Sequence, residues 1–272
     1  MGSALRGETP LGGLVDACLI VGPPALYVLV FLTPSEARLA LTLSHTAPSY
    51  YALYTSHFVH FTAAHLVANV VGYLIATTVG YLLARAAGAR GRYRVALFVI
   101  VTVLPAVLSA LNLVIPRSSV GYGASGVVMG AVGLVPVFVF VYLEHLPRVG
   151  GSVENAPILL FCGFAIVGIS APIGWLGAGI TAAALLSAVL YGIEIPIEFS
   201  SLTALPPGHL ELLIAGVLIG VGYPVVAFPP DPHVQGGLVN LYVHLLGYAF
   251  GFIPAYLTPG VGSNVLVATS KA

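Results

Sequence analysis

Ser125-Gly126-Val127-Val128-Met129-Gly130-Ala131-Val132-Gly133-Leu134-Val135-Pro136-Val137-Phe138-Val139-Phe140-Val141-Tyr142-Leu143 is a helix-length run without one charged side chain. Crossing the hydrocarbon core of a bilayer takes about 20 apolar residues in a helix. The run therefore reads as a membrane span. Its first residue, Ser125, is a hydroxyl at the mouth of the span, set among small residues in Gly121-Tyr122-Gly123-Ala124-Ser125-Gly126. Such a serine is either a packing device or a nucleophile, and the rest of the chain has to decide which.

The surroundings are of the same kind. Of 272 residues, 58% are hydrophobic and 7% charged, with a mean hydropathy of +1.03. Soluble domains carry about 25% charged residues. The expected fold is an all-α, polytopic membrane helical bundle forming a single domain over residues 1–272. Eight spans are expected: 12–33, 63–84, 95–115, 125–143, 157–174, 176–193, 209–228 and 240–258. The fifth and sixth, separated by a tight Pro/Gly turn, have a second reading as one kinked helix with a re-entrant end. The first run is interrupted by Gly22-Pro23-Pro24 and lacks a small-x-small cleavage pattern, so it reads as a kinked span in preference to a signal peptide. Proline is tolerated in a span when neighbours satisfy the carbonyl it frees.

Net charge is zero and no basic tract exists, which excludes a nucleic-acid partner. Cys18 and Cys162 fall in apolar spans and read as small buried hydrophobes. No metal or cofactor site is expected. With the N-terminus cytoplasmic and eight spans, Arg6, Arg85, Arg90, Arg92, Arg94, Arg148 and Lys271 lie inside, and only Arg38 and Arg117 lie outside. Seven against two follows the positive-inside rule and reads as a multi-pass protein of the cell membrane.

Two further polar constellations lie near span starts. His65 and Asn69 are four apart on one helical face at the outer end of the second span. His244 lies about one turn into the last span. At 1.5 Å rise per residue, Ser125, His65/Asn69 and His244 fall within about two turns of one interface. Polar groups inside membranes are costly and face cavities or partners. Singly, each has a bland reading: interfacial histidine, packing serine, interhelical asparagine. Their shared depth favours function. Gly126-x-x-x-Gly130 follows the serine and Gly247-x-x-x-Gly251 follows the histidine, a spacing that lets helix backbones approach closely.

These motifs, in this order, resemble the rhomboid intramembrane serine proteases. Thr55 to Asn69, with His60 followed five residues on by His65-x-x-x-Asn69, looks like the start of the family's second helix. Gly123-Ala124-Ser125-Gly126 looks like its G-x-S-G motif, and His244 to Gly251 like its H-x-x-G-x-x-x-G. The motifs span residues 55–251. The resemblance implies a six-helix core with two extra spans, Ser125 as nucleophile and His244 as general base. It implies His65 and Asn69 as oxyanion donors beside the Ser125 N–H, and a structural His60. It further implies single-span membrane proteins as substrates, cut near the outer face after a small residue, with no cofactor.

The chain departs from the family in carrying Met129 where an aromatic residue commonly supports the histidine ring. It also carries three apparent spans, in place of one, between serine and histidine helices. The loop 229–239 is expected to cap the site. No Asp or Glu lies at the depth of the site, so a dyad and not a carboxylate triad is expected, with Asp231 in this loop the one acid left open. Rival readings are an inactive rhomboid-like protein that binds membrane-protein clients, a metalloprotease and a transporter. No glutamate lies near the histidines as an H-E-x-x-H hydrolase requires, and no duplicated halves suggest a transporter.

Overall fold

In a computed structural model, the described residues are 10–146, 149–171, 174–193, 199–234 and 237–259. They form an all-α bundle. Helix α1 is Pro10–Phe31, α2 Ala63–Ala86, α3 Arg90–Thr102, α4 Leu104–Leu113, α5 Ser125–His145, α6 Pro157–Ser170 and α7 Trp175–Gly192. A composite span follows: α8 His209–Val217, a π-helical stretch Leu218–Gly222, and α9 Tyr223–Ala227. Last is α10, Leu241–Leu257. Among the described residues six helices are long and apolar enough to cross a membrane, α3 with α4 makes a seventh, and α10 is a shorter apolar helix. This is a multi-pass membrane protein. All eight expected spans correspond to these helices, with ends shifted by a few residues.

Two expectations change, and one alternative closes. The span read as 95–115 is two helices bent by 40° at Val103, because Pro105 has no N–H to give the Val101 carbonyl. The fifth and sixth spans are two separate helices, as the count of eight has them, and not one kinked helix. They pack closely enough that a Cβ on Gly168 would lie 2.7 Å from Gly177 O. Cys18 lies exposed on the lipid-facing side of α1 instead of buried.

Helix α5 is the axis. Every residue from Gly126 to Leu143 is buried, which explains why the run is apolar on all sides. Glycines let α10 lie directly on it. A Cβ on Gly247 would sit 2.1 Å from Gly126 O, and one on Gly251 2.0 Å from Gly130 O. On α5 itself, a Cβ on Gly133 would sit 2.0 Å from Tyr248 O. Residue numbers rise together along both helices, so they run parallel. Helix α2 is parallel too, with Gly72 against Val128 and Gly80 against Leu134. The α3–α4 pair runs the other way, placing Leu104 against Gly130 and Leu108 against Gly126. Thus α2, α5 and α10 all begin on the same side.

Three of the prolines in this apolar core are matched by tyrosines. Pro23 frees the Leu19 carbonyl, and Tyr73 donates to it at 2.8 Å. Pro105 frees Val101, reached by Tyr54 at 2.8 Å. Pro224 frees Gly220, reached by Tyr248 at 2.7 Å. The first span runs as one helix through Pro23 and Pro24, and the carbonyl that Pro23 frees is satisfied by a neighbouring helix, as proline in lipid requires.

At the far end, Asp16 accepts from Arg94 Nε at 2.5 Å and Nη2 at 2.8 Å, tying α1 to α3. Arg92 donates to the carbonyls of Ala255 and Tyr256, where α10 ends and a cation is favoured. Of Arg85, Arg90, Arg92 and Arg94, the last three belong to α3, and Arg92 and Arg94 brace the bundle.

Overpacking a core usually costs about 1–3 kcal/mol, and at Gly251 the obstacle is backbone. Gly251→Ala is expected to lower the thermal midpoint in detergent by at least about 5 °C. Gly13→Ala and Gly22→Ala, where nothing lies within 4 Å of the added Cβ, should leave it unchanged; an equal loss at all three would refute the contact.

Candidate active site

Ser125 is the first residue of α5 and is partly exposed. The helix closes its first backbone bond from Val128 N to Ala124 O at 2.9 Å. The N–H groups of Ser125, Gly126 and Val127 are left outside the helical ladder and point toward the start of the helix. With the helix dipole behind them, they favour an anion there. Gly123 supplies the approach. Its φ of +104° suits glycine, its N–H bonds Ser56 O at 2.9 Å, and a Cβ there would lie 2.6 Å from the His65 ring. The serine motif thus docks on the loop before α2 and on His65 at once.

His244 lies on α10, one turn before Gly247, and is buried. Asn240 caps this helix by accepting from Val243 N at 3.2 Å, and it donates to Asn112 Oδ1 at 2.9 Å. His244 Nδ1 lies 2.8 Å from the carbonyl of Ala227. A carbonyl only accepts, so Nδ1 carries the proton and Nε2 is the basic nitrogen. Phe228 sets its ring against the imidazole, centroids 5.9 Å apart at 88°. Serine and histidine therefore stand on adjacent parallel helices whose backbones touch immediately below them, with Val243 Cγ1 against Gly126. Ser125 Oγ and His244 are not hydrogen-bonded to each other in this structure.

Asp231 does not orient the histidine. Its Oδ1 accepts from His233 at 2.7 Å, and both side chains are largely exposed. A backbone carbonyl takes the carboxylate's place. The expected cap forms a small hairpin pairing His233–Val234 with Gly237–Leu238, and residues 235 and 236 lie outside the described residues. Met129 is buried with its Cβ against Gly247, and the aromatic support comes from Phe228 instead. Phe228 escapes sequence reading because nothing local separates it from other aromatics in apolar spans.

The His65 ring packs edge-on to His60, centroids 5.0 Å apart, and its backbone N–H is capped by Thr62. Neither ring nitrogen of His65 bonds another described residue, leaving a donor available. Asn69 is committed elsewhere. His60 Nδ1 donates to Phe58 O at 3.2 Å, so its Nε2 accepts from Asn69 Nδ2 at 3.0 Å. The same Nδ2 donates to His65 O at 3.1 Å. Asn69 thus anchors His60 and the first turn of α2. The donors left for an oxyanion are the His65 ring and the N–H groups at the start of α5.

The loop between α1 and α2 is held by Arg38, which donates to His60 O at 2.6 Å and lies over the Phe31 and Phe61 rings. His57, which matched no motif, has a structural place, bonding Ser109 at 2.9 Å within the buried layer. Among the described residues no group of three or more potential metal ligands forms. No family model matches the chain, and no curated protein or solved structure matches it.

The loop histidines make acid sensitivity predictable. Burial pushes His57 down to about 4. Burial, then the nearby His65, pushes His60 down to about 4. Both stay neutral in the fold and titrate near 6.5 when released, so their contribution is full above pH 6.5 and is lost as pH falls toward 4. Thermal midpoints in detergent should be level above pH 6.5 and decline steadily from there to pH 4; a level profile down to pH 4 would refute it.

Proposed function

We propose that this chain is an intramembrane serine endopeptidase of the rhomboid type, using a Ser125–His244 dyad. The observation that carries the reading is the tautomer of His244. Ala227 O holds the proton on Nδ1 and leaves Nε2 basic, one helix away from a serine at the start of α5. In the proposed reaction His244 Nε2 takes the Ser125 proton as Oγ attacks a peptide carbonyl. The developing oxyanion meets the Ser125 N–H and the His65 ring, and one preorganised donor of this kind is worth about 10²–10³ in kcat. His244 then passes its proton to the departing amine, and water released onto the acyl-enzyme completes hydrolysis.

Water reaches the serine from the side on which α2, α5 and α10 begin. The arginine distribution makes that the outer face, with the N-terminus cytoplasmic in the cell membrane. Substrates in this reading are single-span membrane proteins, cut near that face after a small residue in a locally unwound helix.

The absence of a Ser125–His244 hydrogen bond favours one second reading, a rhomboid-like protein that binds membrane-protein clients without cutting them. Apo catalytic bonds often tighten only on substrate binding, which is why the hydrolytic reading stands first. Labelling with a fluorophosphonate probe in detergent separates the two. Wild type should label, and Ser125→Ala and His244→Ala should each lower labelling by at least about 10³-fold, because members of such a unit act together. A single-span model substrate should be cleaved with the same dependence. A folded wild type that neither labels nor cleaves would move the conclusion to client binding, and labelling that persists in Ser125→Ala would remove Ser125 from the site.

A further inference from the structure

His244 and Tyr248 lie four apart on one face of α10, and both hydrogen-bond to the composite span 209–227. His244 Nδ1 donates to Ala227 O, and the Tyr248 hydroxyl donates to Gly220 O at 2.7 Å. Gly220 lies within the π-helical stretch Leu218–Gly222, and Pro224 has left its carbonyl without a helical donor. Such stretches mark places where a helix can take more than one local geometry. The contact is close, since a Cβ on Gly220 would meet the ring of Pro136 on α5 at 3.0 Å. Tyr248 is in turn enclosed by α6. Phe164 packs edge-on to its ring, centroids 5.7 Å apart at 81°, and a Cβ on Gly163 would lie 2.1 Å from its hydroxyl. The other face of the composite span leans on α2, where Tyr223 OH fills the space above Gly72.

We infer that Tyr248 is a positioning residue for His244: by holding the Gly220 carbonyl it sets where the span 209–227 ends, and so where Ala227 and Phe228 meet the imidazole. Helix α6 then serves the site by holding Tyr248. The inference rests on His244 being the base. Its physical content is a chain from Phe164 to Tyr248 to Gly220, along the composite span to Ala227, and across to His244, with contacts of 5.7, 2.7 and 2.8 Å at the three crossings between helices.

Tyr248→Phe tests it, since the variant keeps the ring against Phe164 and deletes only the donor to Gly220. Two readouts are taken on full-length protein in detergent. The first is fluorophosphonate labelling resolved into affinity and rate constant; the second is the ring ¹⁵N spectrum of His244, assigned against His244→Ala. In Tyr248→Phe the rate constant should fall about tenfold with affinity unchanged, about 1.4 kcal/mol of activation free energy. The His244 signals should move from a single Nδ1-protonated form toward a mixture of tautomers. Phe164→Leu should reproduce both changes in weaker form, and it serves if Tyr248→Phe does not fold. Wild-type rate and tautomer in Tyr248→Phe would overturn the inference, and a wild-type tautomer in Phe164→Leu alone would remove α6 from it. If wild type fails to label at all, the hydrolytic reading falls, while the ¹⁵N comparison still decides whether Tyr248 sets the imidazole.

Discussion

The contact on which the rest depends is between two helix backbones. Gly247 and Gly251 bring α10 onto Gly126 and Gly130 of α5 with no side chain between them. Lipid tails are as apolar as the side chains they would replace, so close packing and not water exclusion must drive helix association. Four glycines at two four-residue spacings supply it. Because the two helices run parallel, the same contact also sets the geometry of the candidate site. Whatever stands one turn before Gly247 is brought beside whatever stands one residue before Gly126. Those residues are His244 and Ser125.

A second constraint is the absence of water for unsatisfied backbone groups. At three of the prolines that interrupt the helical ladder, tyrosines from elsewhere in the bundle supply the missing donors. Tyr73 does so for α1, Tyr54 for the bend between α3 and α4, and Tyr248 for the composite span. Each pair ties two helices at a defined height, so the breaks become joints in place of weak points. The same logic operates at the candidate site, where a carbonyl and not a carboxylate orients the histidine. An unpaired buried charge would be far more costly here than a backbone dipole.

Much of the site was legible in the chain. Ser125, His244 and His65 stand where the spacing placed them, near the starts of three parallel helices. Gly123, Gly126, Gly247 and Gly251 make the close approaches their motifs suggested. His60 is buried between the Phe58 carbonyl and the Asn69 amide. Asn69 reads differently in place, because the tautomer of His60 draws its amide nitrogen inward. Met129 is buried against Gly247, and the ring packed on His244 is Phe228, just past the end of α9. Asp231, the one acid the sequence left open as a partner of His244, pairs with His233 two residues away.

The sequence by itself determined the class of protein and the register of its polar groups. Uncharged runs of helix length can only be spans, and polar residues one turn inside them must share a depth because helical rise is constant. It also determined which faces would pack, since small residues four apart are the one local code for backbone contact. Only the tertiary structure decided who holds whom. The proton on His244, the ring beside it, the partner of Asn69 and the tyrosines at three of the proline breaks come from residues 9 to 54 positions apart. Such pairings depend on how helices are rotated about their axes. Rotation is set by the sum of many weak contacts across the bundle, and no local pattern in the chain encodes it.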